Sequence, residues 1–573
     1  MSFYPASLAV AAAFPDAGAG LSLDAAGGLG MVAIRAADLM SPARRPPAEG
    51  ARPALAAAGT GKIRTGDLVA FCKIVAVIPA VVRRDGRVQA AGHVADHARL
   101  GVLEDQLDEM AGADVIGELA RTVTLDGKVK GTARRAMTTA FTVRAVLLMT
   151  LMPDADYTEV MTTLLGDLAD VPWARPYAVP SPTVLSAWRA AIGPEPLERL
   201  QRLVLDAARA EHDAYDYRAV HVGDLRLGSI DGTVTRTPDT PANREAFGST
   251  GTSDDSAPYP QLRDLLISDA STRAALGVVT GPSGGGKAEA EQKLLDRALE
   301  ECPRLFTSGR LWVLDRNFPG AARIKRMLAT GTHVLIRVKS DVVLAKTGGF
   351  LPDGSYPAEL SGGGVTLTVR VVEYLVTVAG QETPELFCLI TDLLDHVAHP
   401  AGQLAAAYLW RWDGSETALK EAKSAIRGAG PPAGPIFRSQ SPGLVRQEHA
   451  AWITATELVR AMGRAAARHA APAAKGHRAG QPAHPREISF TASRRITLAS
   501  VRHGKATASL PAQVIAASRR AALQALGKRR VQIDRNRHRD RKTKARQGFP
   551  NAPRGITTRT AIAEIGICAP LAA

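Results

Sequence analysis

The chain has 573 residues, 46% of them hydrophobic, which predicts two or three domains rather than one compact core. The formal net charge is +15, and 14 Lys and Arg against two acids lie between residues 519 and 559, so most of the excess charge is near the C-terminus. The four cysteines are scattered without a C-x-x-C pair, which argues against a disulfide framework. The most apolar window (68–82) is shorter than a membrane span, and the N-terminus lacks the basic region of a signal peptide. These features predict a cytoplasmic protein without a membrane segment.

The first 95 residues are rich in Ala, Gly and Pro and show little periodicity, which predicts linker or disorder. From 96 to 205 the apolar residues recur at three- and four-residue spacing, which predicts a helical domain. One of its helices is expected to be capped by Ser181, to begin at Pro182 and to stop at Gly193. This helix carries Arg189, and one interpretation is a helix-turn-helix that binds DNA, the other being ordinary helix packing.

The pattern changes at about residue 222 to short apolar strands. DLRLGSID and RLWVLD are each predicted to end in an aspartate, Asp231 and Asp315. Further strands are predicted at 332–343, 364–378 and 385–392, followed by a mostly helical stretch at 403–428. The mixture predicts an α/β catalytic domain over 215–465, with a β-rich insert at about 332–395 before its last helix.

Between the two aspartates, Gly281, Gly286 and Lys287 have the spacing of a phosphate-binding loop. Such a loop needs Ser or Thr after the lysine to bind Mg²⁺, and Ala288 stands there. We therefore expect no nucleotide cofactor and interpret 278–291 as a Gly-rich connection between a strand and a helix.

Carboxylates at the ends of neighbouring strands can bind hard cations such as Mg²⁺ through oxygen. A third carboxylate from a helix would complete such a site, and Glu416 is the candidate. A single aspartate at a strand end is more often a cap or a turn former, so the hypothesis depends on Asp231, Asp315 and Glu416 acting together.

With these residues in view, the chain resembles the DDE transposases of bacterial insertion sequences, in the insertion-sequence-four group. The first acid lies in SIDGTVTRTPDTPANREAFG and the second in LWVLDRNFPGA. The group's helical signature Y-x2-R-x3-E-x6-K is matched in YLWRWDGSETALKEAK by Tyr408, Arg411, Glu416 and Lys423. The resemblance covers roughly residues 96–465, including the helical segment.

The match departs from the signature at one point, because four residues instead of three separate Arg411 from Glu416. On a regular helix a five-residue step turns about 500°, which would put the two side chains about 140° apart. Either a one-residue π-bulge restores the geometry, or Asp413 starts a new helix in which Glu416 is a capping partner.

The resemblance implies a ribonuclease-H-like core in which Asp231, Asp315 and Glu416 are the catalytic acids and hold Mg²⁺ or Mn²⁺, as two ions. It also implies that Tyr408, Arg411 and Lys423 contact DNA phosphates, that the substrates are double-stranded element ends and target DNA, and that a homodimer forms on DNA in the bacterial nucleoid. The alternatives are a nuclease with the same core that does not join strands, and a catalytically decayed DNA-binding copy. The region 466–573 is predicted to be basic and partly disordered, and to hold the DNA backbone without sequence preference, unless it is a solvated tail that binds nothing specific.

Overall fold

The structure, a computed structural model, describes residues 98–125, 137–165, 179–214, 220–248, 259–284, 290–339, 342–378, 385–423, 436–470, 472, 480, 482–503, 512–527 and 562–567. The predictions for residues 1–95, for Gly286 and Lys287, and for most of the basic C-terminal block therefore lie outside the described residues. Within the described parts, no helix is long and apolar enough to cross a membrane.

Helices come first in the chain, as the three- and four-residue spacing predicts. They are α1 (Val102–Ala111), α2 (Val115–Thr122), α3 (Thr139–Leu151), α4 (Tyr157–Leu165), α5 (Pro182–Ile192) and α6 (Glu195–Ala214). The predicted cap on α5 is confirmed, because the Ser181 hydroxyl accepts a hydrogen bond from the Val184 amide and Gly193 ends the helix. On α3 nearly every residue is buried, so this helix runs through the middle of the group.

A mixed sheet follows, with helices on both faces. Its strands are β1 (His221–Val222), β2 (Leu225–Arg236), β3 (Gln261–Asp269), β4 (Ala275–Pro282), β5 (Arg310–Leu314), β6 (His333–Arg337), β7 (Ala345–Lys346), β8 (Tyr356–Gly362), β9 (Val365–Val378), β10 (Glu385–Thr391) and β11 (Ile562–Ile567). Their order is β4-β3-β2-β5-β6-β10-β9-β8-β7, with β1 paired to β2 and β11 paired to β9. β5 is parallel to both β2 and β6, whereas β3, β4 and the strands from β7 to β11 pair antiparallel.

The remaining helices belong to the sheet's faces or to the C-terminal part of the chain. They are α7 (Pro241–Phe247), α8 (Glu291–Glu301), α9 (Ala321–Leu328), α10 (Ala401–Arg411), α11 (Thr417–Lys423), α12 (Pro442–His469), α13 (Phe490–His503) and α14 (Ala512–Gly527). Between α10 and α11 the chain forms a π-helical turn, Trp412–Glu416. Strand β4 ends at Pro282 and helix α8 begins at Glu291, so residues 278–282 of the predicted Gly-rich connection belong to the strand itself.

Helix α12 connects the helical group to the sheet. Its N-terminal half packs against the sheet through Val445, Trp452 and Ile453, in a cluster with Leu262 and Leu266 of β3. Other buried residues of α12 belong to the large helical core formed with α1 to α6, and Leu523 and Leu526 of α14 are buried in that core as well. The C-terminal region therefore supplies packing residues to the N-terminal helices.

Two local predictions are wrong. Strand β2 does not end at Asp231: it continues to Arg236, because the alternating Val and Thr of GTVTR pair in register with β3 over Thr233–Arg236. Arg189 is not on a DNA-facing surface, since it is 0% exposed and donates hydrogen bonds to Gln447 and Ser439. The helix-turn-helix interpretation fails at Arg189 because a fully buried, hydrogen-bonded guanidinium cannot reach a base edge.

Candidate active site

The parallel pairing of β2 with β5 brings Asp231 and Asp315 side by side. The last paired residues are Ile230 and Leu314, and each aspartate follows directly. β5 ends at this point, whereas β2 continues without a parallel neighbour, so the two carboxylates border a gap in the sheet. The backbone N–H of Asn317 donates to Asp315 Oδ1 at 2.7 Å, which fixes the turn after β5.

The third predicted acid, Glu416, is the last residue of the π-turn. This is the bulge alternative, because α10 continues through Trp412–Glu416 into α11 rather than stopping before Asp413. The Ser415 hydroxyl donates to the Arg411 carbonyl at 2.8 Å, which satisfies a carbonyl within the wide turn. Gly414 faces the sheet so closely that a Cβ there would lie 2.8 Å from Ala270 Cα and 3.1 Å from Ser229 Oγ.

Because of the π-turn, Arg411 and Glu416 face the same way despite the five-residue step. Arg411 Nη2 lies 3.7 Å from Glu416 Oε1, and Nη1 donates to Asp231 Oδ2 at 3.2 Å. One guanidinium therefore contacts the first and third acids at once. Lys420 Nζ, on the exposed side, lies 3.6 Å from the other oxygen of Glu416.

The electrostatics of the site show a surplus of negative charge. Burial, the largest cause, and the neighbouring carboxylates of Asp315 and Glu291 raise the pKa of Asp231 to about 6, against the opposing effect of the Arg411 guanidinium. Burial and the negative charge of Asp315 also raise the pKa of Glu291. A further cation would stabilise these carboxylates in their charged form.

Two further residues of the signature lie on either side of this cluster. Tyr408 is 1% exposed and packs in the sheet's core, and Arg411 Cζ lies 5.9 Å from the centre of its ring. Lys423, at the end of α11, is half-buried, and burial lowers its pKa while Asp264 and Asp231 oppose that change. The structure thus places Tyr408 behind Arg411, and Lys423 within electrostatic range of Asp231.

The sequence interpretation missed Glu291, the first residue of α8. A Cβ on Gly232, the residue after Asp231, would lie 2.2 Å from the Glu291 carboxyl carbon, so this carboxylate covers the strand at the site. The Asn317 side chain donates a hydrogen bond to Glu291, and the Gln292 side chain donates to the Asn317 carbonyl. The only signal in the sequence was the glycine inside a Val- and Thr-rich strand, which is typical of a close approach by another group.

The donor set suits a hard divalent cation, although the side chains would have to move together to bind it. Among the described residues, no three His, Cys, Asp or Glu side chains lie close enough to hold one ion as they stand. Arg411 makes cationic contacts to two of the acids at present. Carboxylate oxygens are the preferred ligands of Mg²⁺ and Mn²⁺, and burial together with the neighbouring carboxylates of Asp315 and Glu291 raises the pKa of Asp231.

Comparison with known proteins shows that the chain is similar to transposases. A family model described as "Transposase DDE domain" matches residues 223–424, which include Asp231, Asp315 and the whole signature up to Lys423. The transposase InsG for insertion sequence element IS4 of Escherichia coli (strain K12) is 24% identical over 306 residues, which cover 51% of this chain and 62% of that protein, less than two thirds of its length. Among solved structures, the piggyBac transposase in a synaptic complex with hairpin DNA matches with a TM-score of 0.38 and 12% identity, over 76% of this chain and 88% of that one. Residues 223–424 thus match the transposase DDE domain family, and the chain is similar to a transposase of the insertion-sequence-four group.

Proposed function

We propose that this protein is a metal-dependent DNA transposase that cuts the ends of an insertion sequence and joins them to target DNA. The observation that carries the proposal is the geometry of three acids within the matched transposase region. Asp231 and Asp315 are adjacent across the β2–β5 pair, and Glu416 is brought to the face of Arg411 by the π-turn.

The sheet supports a ribonuclease-H-like core. Three antiparallel strands, β4, β3 and β2, are followed across the sheet by the parallel β5 and β6, and helices cover both faces. The first acid lies within the central strand and the second directly after its parallel neighbour. The insert from β7 to β10 extends the same sheet beyond β6, and Asp231 and Asp315 lie on the other side of β6 from it.

Asp231, Asp315 and Glu416 would hold two Mg²⁺ or Mn²⁺ ions. Bound there, such ions would supply electrostatic stabilisation for attack on a DNA phosphate by water or a 3′-hydroxyl. The chain's own part is to fix the acids: the β2–β5 pairing sets two of them, and the π-turn sets the third.

Arg411 would change partners during the reaction. It now neutralises Asp231 and Glu416, and cations bound to those acids would release its guanidinium to form a forked contact with a DNA phosphate. Tyr408 is buried behind Arg411 and would orient it rather than meet the phosphate from solvent. Lys423 would approach the DNA backbone as a point charge. Two copies would pair two DNA ends as a homodimer.

A nuclease with the same core is the second candidate, because the acids alone cannot distinguish cutting from joining. A decayed copy is disfavoured by the π-turn, which keeps Arg411 and Glu416 in contact despite the extra residue. The relevant experiment incubates the full chain, with Mg²⁺, and DNA that carries the sequences flanking its gene, and then measures end cleavage and strand joining separately.

Asp231→Asn, Asp315→Asn and Glu416→Gln are each expected to abolish both reactions while leaving DNA binding in place. The matched control is Asp224→Asn, which changes an exposed aspartate just before β2 begins and should leave both reactions unchanged. Cleavage without joining by the unmodified chain would support the nuclease, and DNA binding with neither reaction would support the decayed copy.

A further inference from the structure

Glu291 is a carboxylate close to Asp231 and Asp315 that the family signature leaves without a role. It lies on α8, which packs on the sheet face opposite α10 and the π-turn. Beyond the end of β5, no parallel strand pairs with β2 beside Asp231 and Gly232, which leaves a gap in the sheet at these two residues. A side chain from the α8 face can therefore approach the same gap as side chains from the α10 face.

Two contacts hold Glu291 at this gap, and a third contact fixes one of its partners. Its carboxyl group covers Gly232, at a place where any Cβ would collide with it at 2.2 Å. Asn317 connects it to the second acid, since the Asn317 backbone N–H binds Asp315 while its side chain donates to Glu291. The third contact fixes Asn317 itself, because the Gln292 side chain donates to its carbonyl.

A helix-capping role explains less of this arrangement. A glutamate in the first turn of a helix is favoured by the helix dipole, and Glu291 has that position on α8. The dipole does not require a glycine at 232, nor does it account for the link through Asn317 to Asp315. Glu291 is also half-buried, and burial and the charge of Asp315 raise its pKa, which a favourable interaction with the helix dipole does not explain.

We propose that Glu291 is a fourth carboxylate of the divalent-metal site, binding metal ions beside Asp315 from the α8 face of the sheet. Gly232 is the position that admits it. This inference rests on the proposed function, because it assigns Glu291 to the same site as Asp231, Asp315 and Glu416.

The test measures Mn²⁺ binding to the metal-free full chain by isothermal titration calorimetry, with no DNA present. Glu291→Gln keeps the shape of the side chain and removes its charge, and we expect the Mn²⁺ dissociation constant to rise by about 10- to 100-fold, the range seen when a supporting group of a metal site is removed. The matched control is Glu301→Gln, at the other end of α8, where an exposed glutamate pairs only with Arg297 four residues earlier among the described residues. It should bind Mn²⁺ as the unmodified chain does.

Gly232→Ala provides a second perturbation that leaves every charge in place. The new methyl group would displace the Glu291 carboxylate, which can move because it is the end of a flexible side chain. We expect Gly232→Ala to weaken Mn²⁺ binding as well, and to have little further effect when Glu291 is already glutamine. Full additivity of the two changes would contradict the proposal.

The outcomes distinguish a failure of the Glu291 proposal from a failure of the proposed transposase function. If Asp231→Asn weakens Mn²⁺ binding but Glu291→Gln leaves it within twofold of the unmodified chain, Glu291 is not a metal-binding group and the transposase proposal stands. If Asp231→Asn leaves both Mn²⁺ binding and DNA cleavage unchanged, the proposed function itself fails.

Discussion

The substitution Gly414→Ala adds a single methyl group to the π-turn and tests whether the close packing of this turn positions Glu416. In Gly414→Ala the new Cβ would lie 2.8 Å from Ala270 Cα and 3.1 Å from Ser229 Oγ. The nearer atom belongs to the backbone of the buried turn directly after β3, which moves aside less readily than a flexible side chain would. Ordinary carbon contacts are about 3.5–4.0 Å, so the π-turn would have to retreat from the sheet by roughly 1 Å.

Because Glu416 ends the π-turn and Arg411 precedes it, this retreat moves the third acid away from Asp231. Misplacement of a catalytic group by about 1 Å can reduce the rate about 100-fold, and overpacking of this kind costs about 1–3 kcal/mol of stability. We expect Gly414→Ala to cleave element ends about 100-fold more slowly than the unmodified chain. Its free energy of unfolding in urea should fall by an amount in that range.

The matched control is Gly402→Ala, earlier in the same continuous helix, where a Cβ would meet nothing within 4 Å. Alanine is the better helix former, so this variant should be as stable or up to about 1 kcal/mol more stable, with an unchanged cleavage rate. Amide hydrogen exchange across Trp412–Glu416 should rise in Gly414→Ala and not in Gly402→Ala. If Gly414→Ala cleaves DNA at the normal rate with normal stability, the tight contact between the π-turn and the sheet does not position Glu416.

Three further predictions concern other parts of the molecule. Arg189→Ala should lower the free energy of unfolding by about 3 kcal/mol or more, because it removes the hydrogen bonds that Gln447 and Ser439 accept and leaves the buried Gln447 Oε1 without its Arg189 donor. A loss of DNA sequence preference without any loss of stability would revive the helix-turn-helix interpretation. Burial raises the pKa of Asp105 on α1 to about 6, above its value in the unfolded chain, so the folded state loses stability as this carboxyl group ionises between about pH 4 and pH 6. Asp105→Asn should therefore be more stable than the unmodified chain at pH 7, by at most about 3 kcal/mol. In urea titrations this difference in the free energy of unfolding should shrink toward pH 5. Replacing the twelve Lys and Arg between residues 528 and 559 with Gln should weaken binding to all duplex DNA alike and reduce its salt dependence, and selective loss for one sequence would contradict this.

The replacement of the basic residues begins at residue 528 and deletes nothing, because parts of the C-terminal region pack against the rest of the protein. Leu523 and Leu526 of α14 are buried in the helical core, and β11 pairs with β9, so deletion of the whole C-terminal region would remove packing as well as charge. Neutralising the basic block leaves these contacts in place. A fall in DNA affinity can then be assigned to charge.

The signature residues could be found from the sequence because the signature is defined by residue type and by spacing along the chain. Strand β9 was predicted at 364–378 and observed at Val365–Val378, since its Val- and Thr-rich run is long. The partners across the sheet could not be found in the same way. Glu291 reaches Asp231 only through the β2–β3–β4 pairing and the packing of α8, and no local pattern encodes that path.

Arg189 illustrates the opposite failure. An arginine near the end of a short helix after a tight connection fits a DNA-binding helix by pattern alone, and what decides its role is α12, more than 250 residues later in the chain. Gln447 of α12 accepts from its guanidinium and donates to its carbonyl, so the side chain ties two distant helices together. Long-range burial of this kind overrides a local motif because an unpaired buried charge is far more costly than an ordinary helix contact is favourable.

Two glycines lie beside the acids, and each of them permits a close approach that a side chain would block. Gly232 sits within a strand and Gly414 within a helix, where periodicity alone would favour a larger residue. At Gly232 the missing side chain leaves room for Glu291, and at Gly414 it lets the widened turn lie against Ala270. The sequence predicts that the strand ends at Asp231, whereas the strand continues through Gly232 to Arg236. A carboxylate cluster assembled from both faces of a sheet needs such openings, so the glycines beside the acids belong to the site as much as the acids do.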